Sequence, residues 1–433
     1  MTPTRETFGN ISDGSRWVFY GLAVAATALF AWGLHRRVAL WRQGRPIGLR
    51  ALLSGSWRER ISRWRPGARR IAIEGLGQER VRGRGLASGA HGLLFSGFMV
   101  LLLGTTLLEV DHLAGMVSSN LHFHQGLYYR VYETTLDLFG VLFLAGCLLF
   151  LFRRVRRPPS VGHRASDWGV LAAFLAIGVT GFLVEGLRIG WQRPEGVGAT
   201  CSPVGLWIST TFLHGWGEGE LRRGHVVLWW VHSLLVLGFI AAIPHTRLLH
   251  FIAGPLNLAL APATLGVLPP VRMEEVEATG RVGVGDVRHF TQQQLLSLDA
   301  CVECGRCEEA CPAFATAKPL SPKKVVQDLR GVMESLATPV PEGEAGVHGA
   351  VVGAETLWAC TACSACTRVC PVRVDPVGLI LELRRHLVAE GTLSGTAAVA
   401  LRRMQSSSNP WGLPPGERGA WIEGLSKPPA PSA

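Results

Sequence analysis

Apolar residues in the first 250 positions come in unbroken runs, and polar residues gather in the gaps between them. Five runs, near residues 17 to 34, 86 to 108, 134 to 152, 168 to 187 and 226 to 247, are each about 18 to 23 residues long, enough to cross a bilayer as a helix. Beyond residue 250 the pattern shortens into amphipathic stretches. LSPKKVVQDLRGVMESL predicts a helix beginning near Ser321 with Pro322 in its first turn, and DPVGLILELRRHLVAEG predicts another ending at Gly391. TPVPEGEAGVHGAVVG reads as a loop, and the Ser-, Pro- and Gly-rich end from Gln405 onward as a linker or docking arm. The expected fold is a membrane all-α protein. Residues 1–16 form an external N-terminus, 17–250 a five-helix transmembrane bundle, 251–290 a linker, 291–400 a mainly α-helical cytoplasmic domain and 401–433 a tail.

Charge orients the runs. The net charge of +11 would suggest nucleic acid if it gathered on one folded face, but most arginines flank the apolar runs. Residues 35 to 84 hold fourteen Arg against Glu59, Glu74 and Glu79, and the loop after the third run carries Arg153, Arg154, Arg156, Arg157 and Arg164. By the positive-inside rule these loops are cytoplasmic, which puts the N-terminus outside and everything after His250 inside. The first run follows a segment of mixed charge (Arg5, Glu6, Asp13, Arg16), so it reads as a retained anchor rather than a cleaved signal. No stretch outside the membrane flanks interleaves basic and aromatic residues, and nucleic-acid binding is not expected. The location is the inner, cytoplasmic membrane.

Eight of the ten cysteines fall in two copies of CxxCxxCxxxCP: Cys301, Cys304, Cys307, Cys311 and Cys360, Cys363, Cys366, Cys370. In this spacing three thiolates wrap one face of a 4Fe-4S cubane, while the fourth, followed by proline, reaches the other cluster. The expected sets are therefore Cys301, Cys304, Cys307 with Cys370, and Cys360, Cys363, Cys366 with Cys311. Zinc sites favour pairs of CxxC, and disulfides need an oxidising compartment. Cys147 and Cys201 have no partner at ligand spacing and read as ordinary buried or loop residues.

The fifth run raises a separate question, because it holds His232 and is followed by His250. On a continuous helix their eighteen-residue separation is five whole turns, which places both on one face about 27 Å apart. That suits two haems stacked across a membrane; the plainer reading is one histidine bonding a neighbouring helix and the other at the interface. His91, at the cytoplasmic start of the second run, matches His250 in depth, and the two together could ligate one b-type haem. His245 falls off the shared face. For His232 the candidates are Met99, His112, His122, His124, His214 and His225, and none stands out. Glu185 and Arg188, at the outer end of the fourth run, read either as a quinone contact or as an intrahelical pair.

His91, His232 and His250, with SLLVLGFIAAIPHTRLL between the last two, resemble the five-helix cytochrome b (gamma) subunit of respiratory nitrate reductase. That resemblance implies haem ligands at His91, His250 and His232, with the mate of His232 falling near Leu101. DLFGVLFLAG, GFLVEGLRIG, IPHTRLLH, CVECGRCEEACP, LWACTACSACTRVCPV and NPWGLPPGERGAW resemble a fused branch, the heterodisulfide-reductase-like membrane iron-sulfur oxidoreductases, including electron-transfer-flavoprotein:menaquinone oxidoreductases. The resemblance implies electron transfer through two 4Fe-4S clusters and haem b, with menaquinone or ubiquinone as substrate. Its members carry CCG domains after the NPWG segment, so it also implies a CCG-domain subunit or an electron-transfer flavoprotein as partner. The alternative function is a quinone-independent membrane-anchored iron-sulfur adaptor or redox sensor.

Overall fold

The computed structural model describes residues 8–47, 54, 56–83, 85–118, 121–156, 165–192, 200–268, 270–338, 346–348 and 351–419. Residues 1–7 of the expected external N-terminus, Arg157, Arg164, the core of the Pro- and Gly-rich loop (339–345) and the tail beyond 419 lie outside the described residues. Each apolar run forms a helix, and the first four helices extend past their runs at both ends: α1 (Asp13–Arg42), α3 (Gly85–Val117), α4 (Gly126–Val155) and α5 (Ala165–Gln192), whereas α7 (Glu218–Ala242) starts before the fifth run and stops short of its end; α2 (Trp57–Arg70) lies between α1 and α3 and the short α6 (Pro203–Phe212) between α5 and α7. All five long helices are apolar enough to cross a membrane, which supports a multi-pass inner-membrane topology.

Small residues let α3 and α4 approach closely, since apolar packing against lipid supplies no net drive to associate. A Cβ at Gly146 would stand 2.5 Å from the Leu94 backbone nitrogen, and one at Gly97 would stand 2.8 Å from the Phe139 carbonyl. The α3–α4 turn is tied by Asp111, which accepts backbone N–H bonds from Phe123 (2.6 Å) and His124 (3.2 Å). At the same end, Ser202 donates to Glu133 (3.0 Å) and the Val204 amide to Asp137 (3.1 Å), which hangs α6 on α4.

The fifth span does not continue as one helix to His250. It gives way after Ala242 to a 3-10 turn containing Pro244, whose missing N–H cannot extend the ladder. Thr246 is extended (φ −127°, ψ 178°), and its hydroxyl caps the turn Arg247–Leu249. A new helix, α8 (His250–Leu260), then starts at His250 itself. The five-turn spacing between His232 and His250 therefore does not apply. His245, in the break, packs against Gly33 and Trp32 of α1.

Residues 251–260 are packed helix. Leu249 of the turn before α8 and Ala253 of α8, with Leu40 and Trp41 of α1, join a core shared with α9 (Gln292–Ala300), α10 (Pro322–Ser335) and α11 (Pro376–Ala389). Ser321 caps α10 with Pro322 at its first position, and Gly391 follows α11 at φ +66°, where a left-handed residue favours glycine. Buried Asp299 accepts from Trp41 Nε1 (2.8 Å) and pairs with Arg330 (3.1 Å), which clamps α9 onto α1. Burial pushes its carboxyl above the usual range despite Arg37 and Arg330. Arg373 grips Glu74 with two bonds (2.7 and 2.6 Å), and Arg306 donates to the carbonyls of Arg80 and Val81. The cysteine-rich domain is thus bolted to the bundle end rather than tethered to it.

Candidate functional site

The two cysteine motifs have the same backbone form. Two residues after the first cysteine of each stands a left-handed non-glycine residue, Glu303 (φ 53°) and Ala362 (φ 53°), and two residues later a second left-handed residue, Gly305 (φ 80°) in one motif and Ser364 (φ 58°) in the other. Such conformations are costly away from glycine and persist where the surroundings enforce them. They curl each loop around its thiols. N–H groups then point at sulfur: Ala362 to Cys360 (3.4 Å) and Val374 to Cys370 (3.2 Å).

Cys301, Cys304, Cys307 and Cys370 line one small cavity. Burial pushes the thiols of Cys301 up to about 11 and of Cys370 up to about 12, with the neighbouring thiolates adding to the rise. Cys366, buried beside Cys360 and Cys311, is likewise pushed up to about 12, whereas the more open Cys363 is held down by the Ala365 amide and the Thr361 hydroxyl. The fold therefore brings Cys370 to the first motif and Cys311 to the second. Thiols gathered four to a set, with N–H···S bonds already aimed at Cys360 and Cys370, fit a cationic Fe-S core that would compensate their thiolates. Among the described residues no group of three or more His, Cys, Asp or Glu is arranged to hold a single metal ion.

A cavity of about 1190 Å³, mostly apolar, runs through the bundle. Four histidines line it: His91 on α3, His225 and His232 on α7, and His250 at the start of α8. His112, His122, His124 and His214 do not, while Met99 and Leu101 do. His91 and His250 lie within electrostatic reach of one another.

Three of these imidazoles are oriented alike. Nδ1 of His250 lies 2.6 Å from the Arg247 carbonyl and Nδ1 of His91 3.2 Å from Gln78 Oε1. Nδ1 of His232 lies 2.9 Å from the Thr180 hydroxyl, which itself donates to the Ala176 carbonyl and so receives the imidazole proton. An acceptor on Nδ1 fixes its proton there and leaves Nε2 with the lone pair, the arrangement that metal-ligating histidines use. The mostly apolar cavity and the two oriented imidazoles that line it fit a haem on His91 and His250. His232 has an oriented ring, and the other histidine of its own helix that lines the cavity is His225.

One end of the cavity is made by Glu303, Cys304, Pro371 and Val372, so it opens onto the first cysteine set. Arg247 joins the layers there, pairing with Asp167 of α5 and Glu303, each at 2.8 Å. At the other end Arg188 pairs with Glu185 (Nε–Oε2 2.9 Å) and reaches Glu133 (3.8 Å), with Asp137 close by on α4. Twenty-one residues of α5 separate Asp167 from Arg188, about 32 Å of helix. Glu185 and Arg188 do form an intrahelical pair, but one that lines the cavity together with two carboxylates of α4. Gln78, Thr180, Glu133 and Asp137 carry no motif and could not be singled out from the sequence.

Residues 297–374 match the family model described as a 4Fe-4S dicluster domain. The chain thus joins five helices long and apolar enough to cross a membrane to a segment that matches an iron-sulfur domain. It is distantly related to the quinone-oxidoreductase-like iron-sulfur proteins. It is 29% identical over 97% of its length to an EtfAB:quinone oxidoreductase of Syntrophomonas wolfei, covering 61% of that protein. It is 30% identical over 94% of its length to a probable membrane-anchored ferredoxin of Chromohalobacter salexigens, covering 58% of it. A probable iron-sulfur-binding oxidoreductase, FadF, of Bacillus subtilis is 28% identical over 76% of the chain, which covers 51% of it. The chain thus spans about three fifths or less of the length of these relatives. No solved structure matches it.

Proposed function

We propose that this chain is a membrane redox relay that passes electrons between a cytoplasmic partner and the quinone pool. Cys301, Cys304, Cys307 and Cys370 hold one 4Fe-4S cluster, Cys311, Cys360, Cys363 and Cys366 the other, and His91 with His250 hold haem b. When bound, these groups supply one-electron carriers that make and break no substrate bonds. The observation that carries the reading is the cavity that joins the His91–His250 pair to Cys304.

The side chains order the path. Cys363 is exposed, whereas Cys304 faces the cavity, so an external partner meets the Cys311/Cys360/Cys363/Cys366 set and the bundle meets the other. The relative named EtfAB:quinone oxidoreductase favours a reduced electron-transfer flavoprotein as donor and menaquinone or ubiquinone as acceptor; a CCG-domain subunit is the other partner of this kind. Quinone reduction consumes two electrons and two protons to give quinol. Glu133, Asp137 and Glu185 outnumber Arg188 at the polar end of the cavity, and they are the groups to hold those protons. By the positive-inside rule the arginine-rich loops favour an iron-sulfur domain in the cytoplasm and an N-terminus outside.

The test is spectroscopic. Purified protein, reduced with dithionite and mixed with a soluble menaquinone analogue, is expected to show a b-type α-band that bleaches as quinone is reduced. A protein without that band, or a band that quinone cannot oxidise, overturns the relay.

A further inference from the structure

Helix α2, WRERISRWRPGARR, takes no part in the cavity or the cysteine sites. Trp57, Ile61, Trp64 and Ala68 recur at i, i+4, i+7 and i+11 and form one narrow apolar stripe. All four are exposed, Trp57 to 68%. Taking 100° per residue, Arg60 and Arg65 stand about 60° and 80° to either side of Trp57, with Arg58 and Arg69 just beyond Arg65. Glu59, the single acidic residue of the helix, is engaged in the capping box, where its carboxylate accepts the Ser56 amide (2.9 Å). Among the described residues, Arg58, Arg60, Arg65 and Arg69 have no acidic partner. An apolar stripe with two tryptophans between rows of unpaired arginine suits the boundary of a bilayer better than water.

The mounting of the helix agrees with this. Gly67 lies so close to α8 that a Cβ would stand 2.7 Å from the Ala259 carbonyl, and Arg70 donates to the carbonyls of Ala261 (2.6 Å) and Ala259 (3.3 Å) at the end of α8. Gly67 is about 80° from Trp57 around the axis, on the side away from Arg65, so the stripe turns aside from this contact. α2 is therefore fixed beside the bundle end where the cysteine-rich domain docks, with its stripe free.

We propose that α2 is an interfacial helix that binds the headgroups of anionic phospholipids, and that this lipid contact braces α8, the helix that begins at His250. Each arginine contributes about fivefold to binding an anionic leaflet. The proposal does not depend on any cofactor.

The full chain in nanodiscs of phosphatidylcholine alone, or with phosphatidylglycerol, tests it by amide hydrogen exchange. Phosphatidylglycerol is expected to slow exchange across residues 57–70 and at 250–260. The quadruple variant R58Q/R60Q/R65Q/R69Q should lose that lipid dependence and retain at least tenfold less phosphatidylglycerol on purification. W57S/W64S should exchange fast in both nanodiscs. Exchange at 57–70 that is equal in the two lipids, or equally lipid-dependent in the quadruple variant, overturns the proposal. So does a segment that becomes protected only when a soluble partner protein is added.

Discussion

Glu74→Gln perturbs the joint between the membrane bundle and the cysteine-rich domain at its most connected point. Glu74 is 8% exposed, receives two bonds from Arg373 and pairs with Arg80 at 2.9 Å. Amidation keeps the shape but leaves two guanidinium groups facing each other with no counter-charge. Breaking a buried pair in this way costs about 3–5 kcal/mol, and the partial exposure of both arginines argues for about 3 kcal/mol, roughly a hundredfold in the opening equilibrium of the joint. Hydrogen exchange at residues 71–82 and 368–375 should therefore speed up about a hundredfold while the spans are unaffected. The pH dependence has a definite sign. Burial alone would raise the Glu74 carboxyl, but the Arg373 bonds and the charges of Arg80, Arg373 and Arg70 outweigh it and hold the carboxyl below the usual glutamate range. A depressed carboxyl stabilises fully above its unfolded value, about 4.3, and loses that contribution as pH falls through its folded value. The wild-type joint should loosen only below about pH 4.3, and the Gln variant should lack that acid limb. Unchanged exchange in E74Q, or an identical acid limb, would refute the reasoning.

Gly146→Val forces a side chain into the Leu94 backbone and should destabilise the α3–α4 pair by about 1–3 kcal/mol, read as a lower Tm in detergent. Cys370→Ser should broaden or abolish the EPR signal of the cluster on Cys301, Cys304 and Cys307 and spare the signal assigned to Cys360, Cys363 and Cys366, although Cys370 belongs to the second motif in sequence. Glu185→Gln and Asp137→Asn should slow quinone reduction by at least tenfold and shift its pH profile, with haem and cluster content intact. Equal quinone kinetics would remove those carboxylates from the proton path.

Much of this architecture follows from local pattern. The five spans are legible because hydrocarbon thickness sets a run length, and α10 and α11 because Ser321, Pro322, Asp375 and Gly391 are stop and start residues whatever surrounds them. The grouping of Cys370 with Cys301 is legible from spacing. The break at Pro244 was not, since a 100° periodicity carried through a proline assumes the helix that the proline ends. Nor were the partners of the histidines. Gln78 and Thr180 become visible only when distant segments come together, and a hydroxyl or amide in a sequence carries no mark of the ring it will orient. The stripe of α2 was hidden by its arginines, which orient the chain by number alone and fix a surface only by where they fall around a helix.

The haem content of single-histidine variants, measured per chain by the pyridine haemochromogen assay on protein purified in detergent, tests the central claim most directly. Loss of the b-type haem in both His91→Ala and His250→Ala, with iron and acid-labile sulfide unchanged, is the predicted result. Full haem content in either variant would contradict the account.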